Sequence, residues 1–211
     1  MKEENFEFKI ALIGTTNAGK STLIERFIDN KYEIPLSTIG TNSAVKDINI
    51  TVKQKNKLKF IKVRLKISDT AGQERFRCLA PVYIKNAHCI IFVIDLFSEN
   101  DYNEYNYWLN EINENKQSKS FHVICGTKID LDDGNNRVFD FKFFDEFIRN
   151  KKGFYFETSS KLNKGIDEMF YFIAEECYNV FHEDIILKKK LQTIEHLSNH
   201  KNTKKNNVKG C

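Results

Sequence analysis

The chain has 211 residues, 41% of them hydrophobic and 18 of them Phe, which suits one domain with a sizeable core plus a tail. Its formal net charge is +4, but residues 188–211 carry seven Lys against the single acid Glu195, which leaves the body at about −2. A near-neutral body argues against nucleic-acid binding, and the basic tail fits either an anionic membrane surface or a solvated disordered segment.

Cysteines lie at positions 78, 89, 125, 177 and 211 with no C-x-x-C pair, which argues against zinc and fits a reducing compartment. The charged first residues lack the apolar region of a signal peptide, and Lys2 excludes N-myristoylation. No run approaches the roughly 20 apolar residues of a membrane-spanning helix.

Residues 8–13 form a mostly apolar run, as a buried strand should. Gly14-Thr15-Thr16-Asn17-Ala18-Gly19-Lys20-Ser21 follows and fits G-x-x-x-x-G-K-[ST], the phosphate-cradling loop of nucleoside-triphosphate-binding proteins. Gly14 and Gly19 let the backbone turn tightly towards an anion. The intervening N–H groups form a nest for phosphate oxygens, Lys20 supplies a point charge, and the Ser21 hydroxyl suits Mg²⁺. From Thr22 to Asn30, Leu23, Ile24, Phe27 and Ile28 recur at helical spacing, so the loop opens a helix N-terminus that favours phosphate.

Residues 45–52 and 60–67 read as two strands joined by a Lys/Asn/Gln turn, hence a hairpin with one antiparallel edge strand. Further strands are predicted at 89–94, 121–125 and 154–156, and helices at 76–86, 101–115, 139–151 and 166–181. The alternation predicts an α/β fold: a mostly parallel sheet of six strands with helices on both faces.

Asp69-Thr70-Ala71-Gly72-Gln73-Glu74-Arg75-Phe76 follows the third strand. A carboxylate at a strand's carboxyl end faces the site where open α/β sheets bind ligands, so Asp69 is placed to hold Mg²⁺. Gly72 lets its N–H approach a terminal phosphate. Gln73 carries a donor and an acceptor, which suits it to orient an attacking water.

With these motifs, Ser37-Thr38-Ile39-Gly40, Thr127-Lys128-Ile129-Asp130 and Glu157-Thr158-Ser159-Ser160-Lys161, residues 7 to 180 resemble the Ras superfamily of small GTPases, most closely the Rab family. The resemblance implies a P-loop G domain over residues 1–182 and a basic hypervariable tail over 183–211. It implies GTP or GDP as bound nucleotide with Mg²⁺ on Ser21, Thr38 and Asp69, and catalysis by Gln73 and Lys20. Phosphate contacts would come from Gly14, Thr15, Thr16, Asn17, Ala18, Gly19, Lys20, Ser21, Thr22, Thr38 and Gly72. Tyr32, twelve residues beyond Lys20, would cover the guanine. Thr127, Lys128, Asp130, Ser159, Ser160 and Lys161 would hold the base, with Asp130 accepting from guanine N1 and N2, for which adenine offers no matching donor pair.

The chain also departs from the family pattern. Thr127 stands where Asn is usual; its hydroxyl can still bridge to the phosphate loop. Thr16 is branched where a small residue is usual, and Asn17 replaces a Gly but tolerates positive φ. Ser68, Thr41, Asn42 and Ser43 alter the effector-facing surface. Switch I is one residue short, and the hairpin is longer near residues 54–59.

The resemblance further implies a regulator of vesicle trafficking that hydrolyses GTP slowly and cycles between cytosol and the cytoplasmic face of an intracellular membrane. Its partners would be effectors at switch I and switch II, a GTPase-activating protein, a guanine-nucleotide exchange factor, a Rab escort protein and a GDP-dissociation inhibitor. Cys211, the last residue, is a prenylation candidate, although one terminal Cys does not fit C-a-a-X. A single prenyl chain anchors weakly, and the lysine-rich tail would be the second signal. Rival readings are a module that holds GTP with little hydrolysis, a non-Rab member of the superfamily, and an ATP-dependent kinase or ATPase, against which Asp130 argues.

Overall fold

The computed structural model describes residues 5–33, 41–54, 57–70, 80–114, 120–139, 141–151 and 153–206. In chain order the elements are β1 (Phe6–Ile13), α1 (Lys20–Asp29), β2 (Thr41–Gln54), β3 (Lys57–Thr70), α2 (Ala80–Asn86), β4 (Cys89–Asp95), α3 (Asp101–Glu114), β5 (Phe121–Thr127), a 3-10 turn (Ile129–Leu131), α4 (Phe141–Lys151), β6 (Phe154–Glu157) and α5 (Ile166–Asn206).

The strands form one six-stranded sheet in the order β2-β3-β1-β4-β5-β6. Every neighbouring pair is parallel except β2 with β3, so the hairpin does supply the antiparallel edge. β4 is buried almost throughout, as a central strand covered on both faces must be. β3 instead alternates: Ile61, Val63, Leu65 and Ile67 are buried while Lys62, Arg64 and Lys66 are exposed, so there only one face is covered.

Two apolar clusters lie on opposite faces of the sheet. One packs Leu23 and Phe27 of α1 and Met169, Phe170 and Ile173 of α5 against β1 and β3. The other packs Ile84 of α2, Tyr105 and Trp108 of α3 and Phe144 of α4 against β4 and β5. The aromatic richness of the sequence is spent here; Phe27 stacks on Phe170 at 4.0 Å between ring centroids.

The strand register aligns the carboxyl ends. Leu12 lies beside Asp69, Ile13 beside Phe92, Asp95 beside Thr127, and Gly126 beside Glu157. This edge is where a doubly wound sheet presents its loops to a ligand.

Most strands and α5 outrun their sequence signals, β2, β3 and α5 by the most. β2 starts at Thr41 rather than 45, because Thr41 and Asn42 still pair with Thr70 and Asp69 although their pattern is polar. α5 passes through the expected domain boundary at 182 without a break and reaches Asn206, since no Gly or Pro stops it. Ile185 and Ile186 still pack on the core, and Lys189 Nζ donates to the Asn5 carbonyl at 2.7 Å.

Candidate functional site

The loop between β1 and α1 has the backbone its glycines foretold. Gly14, Asn17 and Gly19 have φ of 142°, 66° and 95°. At Gly14 a Cβ would lie 2.2 Å from the Val93 carbonyl oxygen, so only glycine fits that passage. Thr16 and Asn17 are exposed at the loop's crest and Ala18 is buried beneath it. Ser21 and Thr22 sit half-buried in the first turn of α1.

Lys20 is buried, and its Nζ donates to the carbonyls of Gly14 at 2.9 Å and Thr15 at 2.6 Å. The lysine head is thus folded into the concavity of the loop, where phosphate nests offer N–H groups. Burial lowers its pKa to about 8, against the pull of Asp69, Asp101 and Glu104.

Asp69 is the penultimate residue of β3 beside that loop, and Thr70, which ends the strand, donates a hydroxyl bond to the Leu12 carbonyl at 2.6 Å. Ser21 Oγ donates to Asp69 Oδ2 at 2.6 Å. Among the described residues Asp69 Oδ1 is buried with no hydrogen-bond partner. Burial raises the Asp69 pKa, opposed by the Ser21 bond and Lys20. An orphaned carboxylate oxygen beside a hydroxyl is a hard, oxygen-only donor pair, which fits Mg²⁺ completed by phosphate and water. Among the described residues no cluster of His, Cys, Asp and Glu could hold a metal by itself, and a Mg²⁺ shared with phosphates needs none.

The second half of the site lies at the ends of β5 and β6. Thr127 is buried, with its hydroxyl 2.7 Å from the Ala18 carbonyl and 3.1 Å from that of Ile94. The bridge to the phosphate loop is therefore in place with Thr instead of Asn. Lys128 adopts a left-handed φ of 65° and pairs with Asp95 at 2.7 Å. Asp130 accepts a 2.6 Å bond on Oδ1 from Ser159, and Lys161 Nζ stands 3.9 Å from its other oxygen. The bond to Ser159 fixes the carboxylate's orientation for a planar pair of donors.

Tyr32 is 42% exposed and lies near the guanidinium of Arg26, 5.8 Å from its ring centroid. Arg26 in turn donates to the Ser160 carbonyl at 2.8 Å. Tyr32 is thus linked through Arg26 to the second base loop. Thr38, Gly72, Gln73 and Cys211 lie outside the described residues, as do residues 34–40 of the short switch I and the turn at 55–56.

Sequence reasoning missed three residues that build this site. Arg26 was one of them. Asp101, at the start of α3, accepts from Thr15 Oγ1 at 2.6 Å and from the Asp95 N–H at 2.8 Å, and it is buried. Asp95 links that knot to Lys128. Asp95 carried a usable signal, since it lies at a strand's carboxyl end just as Asp69 does. Asp101 carried none, because an acid in a helix's first turn is ordinary.

Comparison with known proteins agrees with this geometry. A model of the Ras family matches residues 9–179. The chain is 34% identical over 175 residues to the GTP-binding protein YPT1 of Saccharomyces cerevisiae, covering 82% of this chain and 80% of that one. It is 33% identical over 175 residues to Ras-related protein Rab-1C of Dictyostelium discoideum, covering 82% of each chain. It is also 33% identical over 175 residues to human Ras-related protein Rab-30, covering 82% of this chain and 81% of that one.

Proposed function

The chain belongs to the Ras family of small GTPases, as a divergent Rab-like member, and from that premise we propose that it is a Mg²⁺-dependent GTP/GDP switch regulating intracellular vesicle trafficking. As a small GTPase it hydrolyses GTP. The observation that carries the reading is the meeting of three groups at one sheet edge: buried Lys20 in its loop, the Ser21–Asp69 pair, and Asp130 oriented by Ser159.

Lys20 and the loop amides bind and neutralise the phosphates, and Asp130 selects guanine. Ser21, Asp69 and Thr38 would hold Mg²⁺, which when bound would supply positive charge against that developing on the transferred phosphoryl group. Gln73 orients the attacking water. Thr38 and Gly72 tie switch I and switch II to the γ-phosphate, and its loss releases both segments and the effector surface. Without an arginine supplied by a GTPase-activating protein the reaction is slow, and the many charge-assisted contacts make release depend on an exchange factor. The chain cycles between cytosol and a membrane face, with escort protein and GDP-dissociation inhibitor as carriers and Cys211 plus the basic tail as anchor. No described helix is long and apolar enough to cross a membrane.

Identifying the nucleotide that copurifies with the protein, with GTP–ATP competition in Mg²⁺ buffer, tests the reading. Bound GDP or GTP and exclusion of ATP are expected; preferential ATP binding overturns it.

A further inference from the structure

The end of the sheet remote from the nucleotide site carries an unusual surface. β1 begins at Phe6, opposite Val63, so residues 57–62 of β3 pair only with β2. The hairpin therefore projects about 20 Å past the start of β1, at ~3.3 Å per residue. Residues 51–62 contain five Lys and no acid. Leu58 and Phe60 share the outer face of this projection with Lys62 and are 71% and 78% exposed. Their cross-strand partners are Lys53 and Thr51. Lys62 is paired with Asp47 at 3.0 Å, but among the described residues no ion pair involves Lys53, Lys57 or Lys59.

A second basic element meets it. The bond from Lys189 to Asn5 places residues 188–190 of α5, all exposed lysines, at the same end of the sheet. α5 carries the lysine-rich tail away from that same end.

We propose that the β2–β3 hairpin is a membrane-contact element that inserts Leu58 and Phe60 into an anionic lipid surface while the surrounding lysines meet headgroups. Large apolar side chains set among lysines with no acid suit an anionic lipid interface, which deforms around them and pairs the charges. Lysine stems lie along apolar surface and keep their charge in the headgroup layer. The lysines of the hairpin and of residues 188–190, gathered at one end of a body near −2 overall, orient that end to an anionic bilayer and leave the nucleotide edge facing away. The proposal rests on the membrane association inferred above but assigns part of it to the folded body rather than to the tail.

The test is flotation of the full-length, unlipidated, GDP-loaded chain with phosphatidylcholine vesicles, with and without phosphatidylserine. Binding only to phosphatidylserine vesicles is expected. The double change Leu58→Asp/Phe60→Asp should weaken it about tenfold or more. GDP affinity and unfolding midpoint should not move, because both side chains are exposed. The same loss should appear when the pair is added to Lys201→Gln/Lys204→Gln/Lys205→Gln, a tail variant that isolates the hairpin. Equal binding by the double variant and the unaltered chain overturns the proposal, leaving the tail as sole contact. Failure of the unaltered chain to bind phosphatidylserine vesicles, or its pairing into dimers through the hairpin, also overturns it. GDP affinity in the same samples reports separately on the GTPase reading.

Discussion

The Thr127 hydroxyl lies 2.7 Å from the carbonyl oxygen of Ala18, joining the strand end that leads to the base loop with the floor of the phosphate loop. One hydroxyl proton serves both this carbonyl and that of Ile94 at 3.1 Å, and the shorter contact is the stronger. Thr127→Val keeps the shape and removes the donor. It should cost roughly 1–3 kcal/mol of stability, because buried carbonyl groups lose a partner. GDP affinity should fall with it, and Thr127→Ser should restore both in chemical unfolding and nucleotide-release assays.

Asp130 is held by Ser159 on one oxygen, with Lys161 near the other. Asp130→Asn keeps an acceptor for the Ser159 hydroxyl but turns the second position into a donor. Guanine then meets donor against donor, while xanthine, with a carbonyl at C2, fits. Affinity for GDP should drop on the order of 100-fold and that for xanthosine diphosphate should rise, as measured by competition binding.

Lys20 has its pKa lowered from 10.5 to about 8, chiefly by burial. Between those values the unfolded chain binds the extra proton, so stability of the nucleotide-free protein should rise with pH across that window. A bound polyphosphate favours the ammonium form. Affinity should therefore fall as pH rises above about 8, by at most about tenfold per pH unit. Calorimetry near pH 9 in buffers of different ionisation enthalpy should show proton uptake on binding, and Lys20→Met should abolish it.

Asp69 combines a buried oxygen, unpartnered among the described residues, with a raised pKa. Asp69→Asn removes a charge that burial disfavours, so unfolding of the nucleotide-free chain should be unchanged or slightly harder. GDP affinity with Mg²⁺ should fall by about tenfold or more, and with chelator present the two proteins should match. A Mg²⁺ titration of nucleotide release separates these outcomes.

Thr16 is exposed at the crest of the loop between β1 and α1, and a branched side chain there would crowd a terminal phosphate bound by the loop. Thr16→Gly should raise single-turnover phosphate release several-fold without altering GDP affinity. An unchanged rate would place the limit elsewhere, at switch I or Gln73.

Much of this was legible because period and register are local properties. The apolar run before Gly14 and the helix spacing after Lys20 fixed the phosphate loop, and Asp69 followed from its place at a strand end. The Thr127 bridge was legible too, since a hydroxyl at that position reaches what an amide would. Asp101 was hidden, because its partner Thr15 lies 86 residues away in the loop after β1 and only the fold brings it to the end of β4 at Asp95. The length of α5 was hidden for another reason. Its apolar periodicity fades after Phe181, yet Ile185 and Ile186 still find the core.

The knot at Asp101 has a mechanical consequence. One carboxylate holds Thr15 of the phosphate loop and the backbone of Asp95, whose own side chain restrains Lys128. A regulator that levers the head of α3 outward would slacken the grip on both ends of a nucleotide in one stroke, and it would do so from behind, without ever entering the pocket.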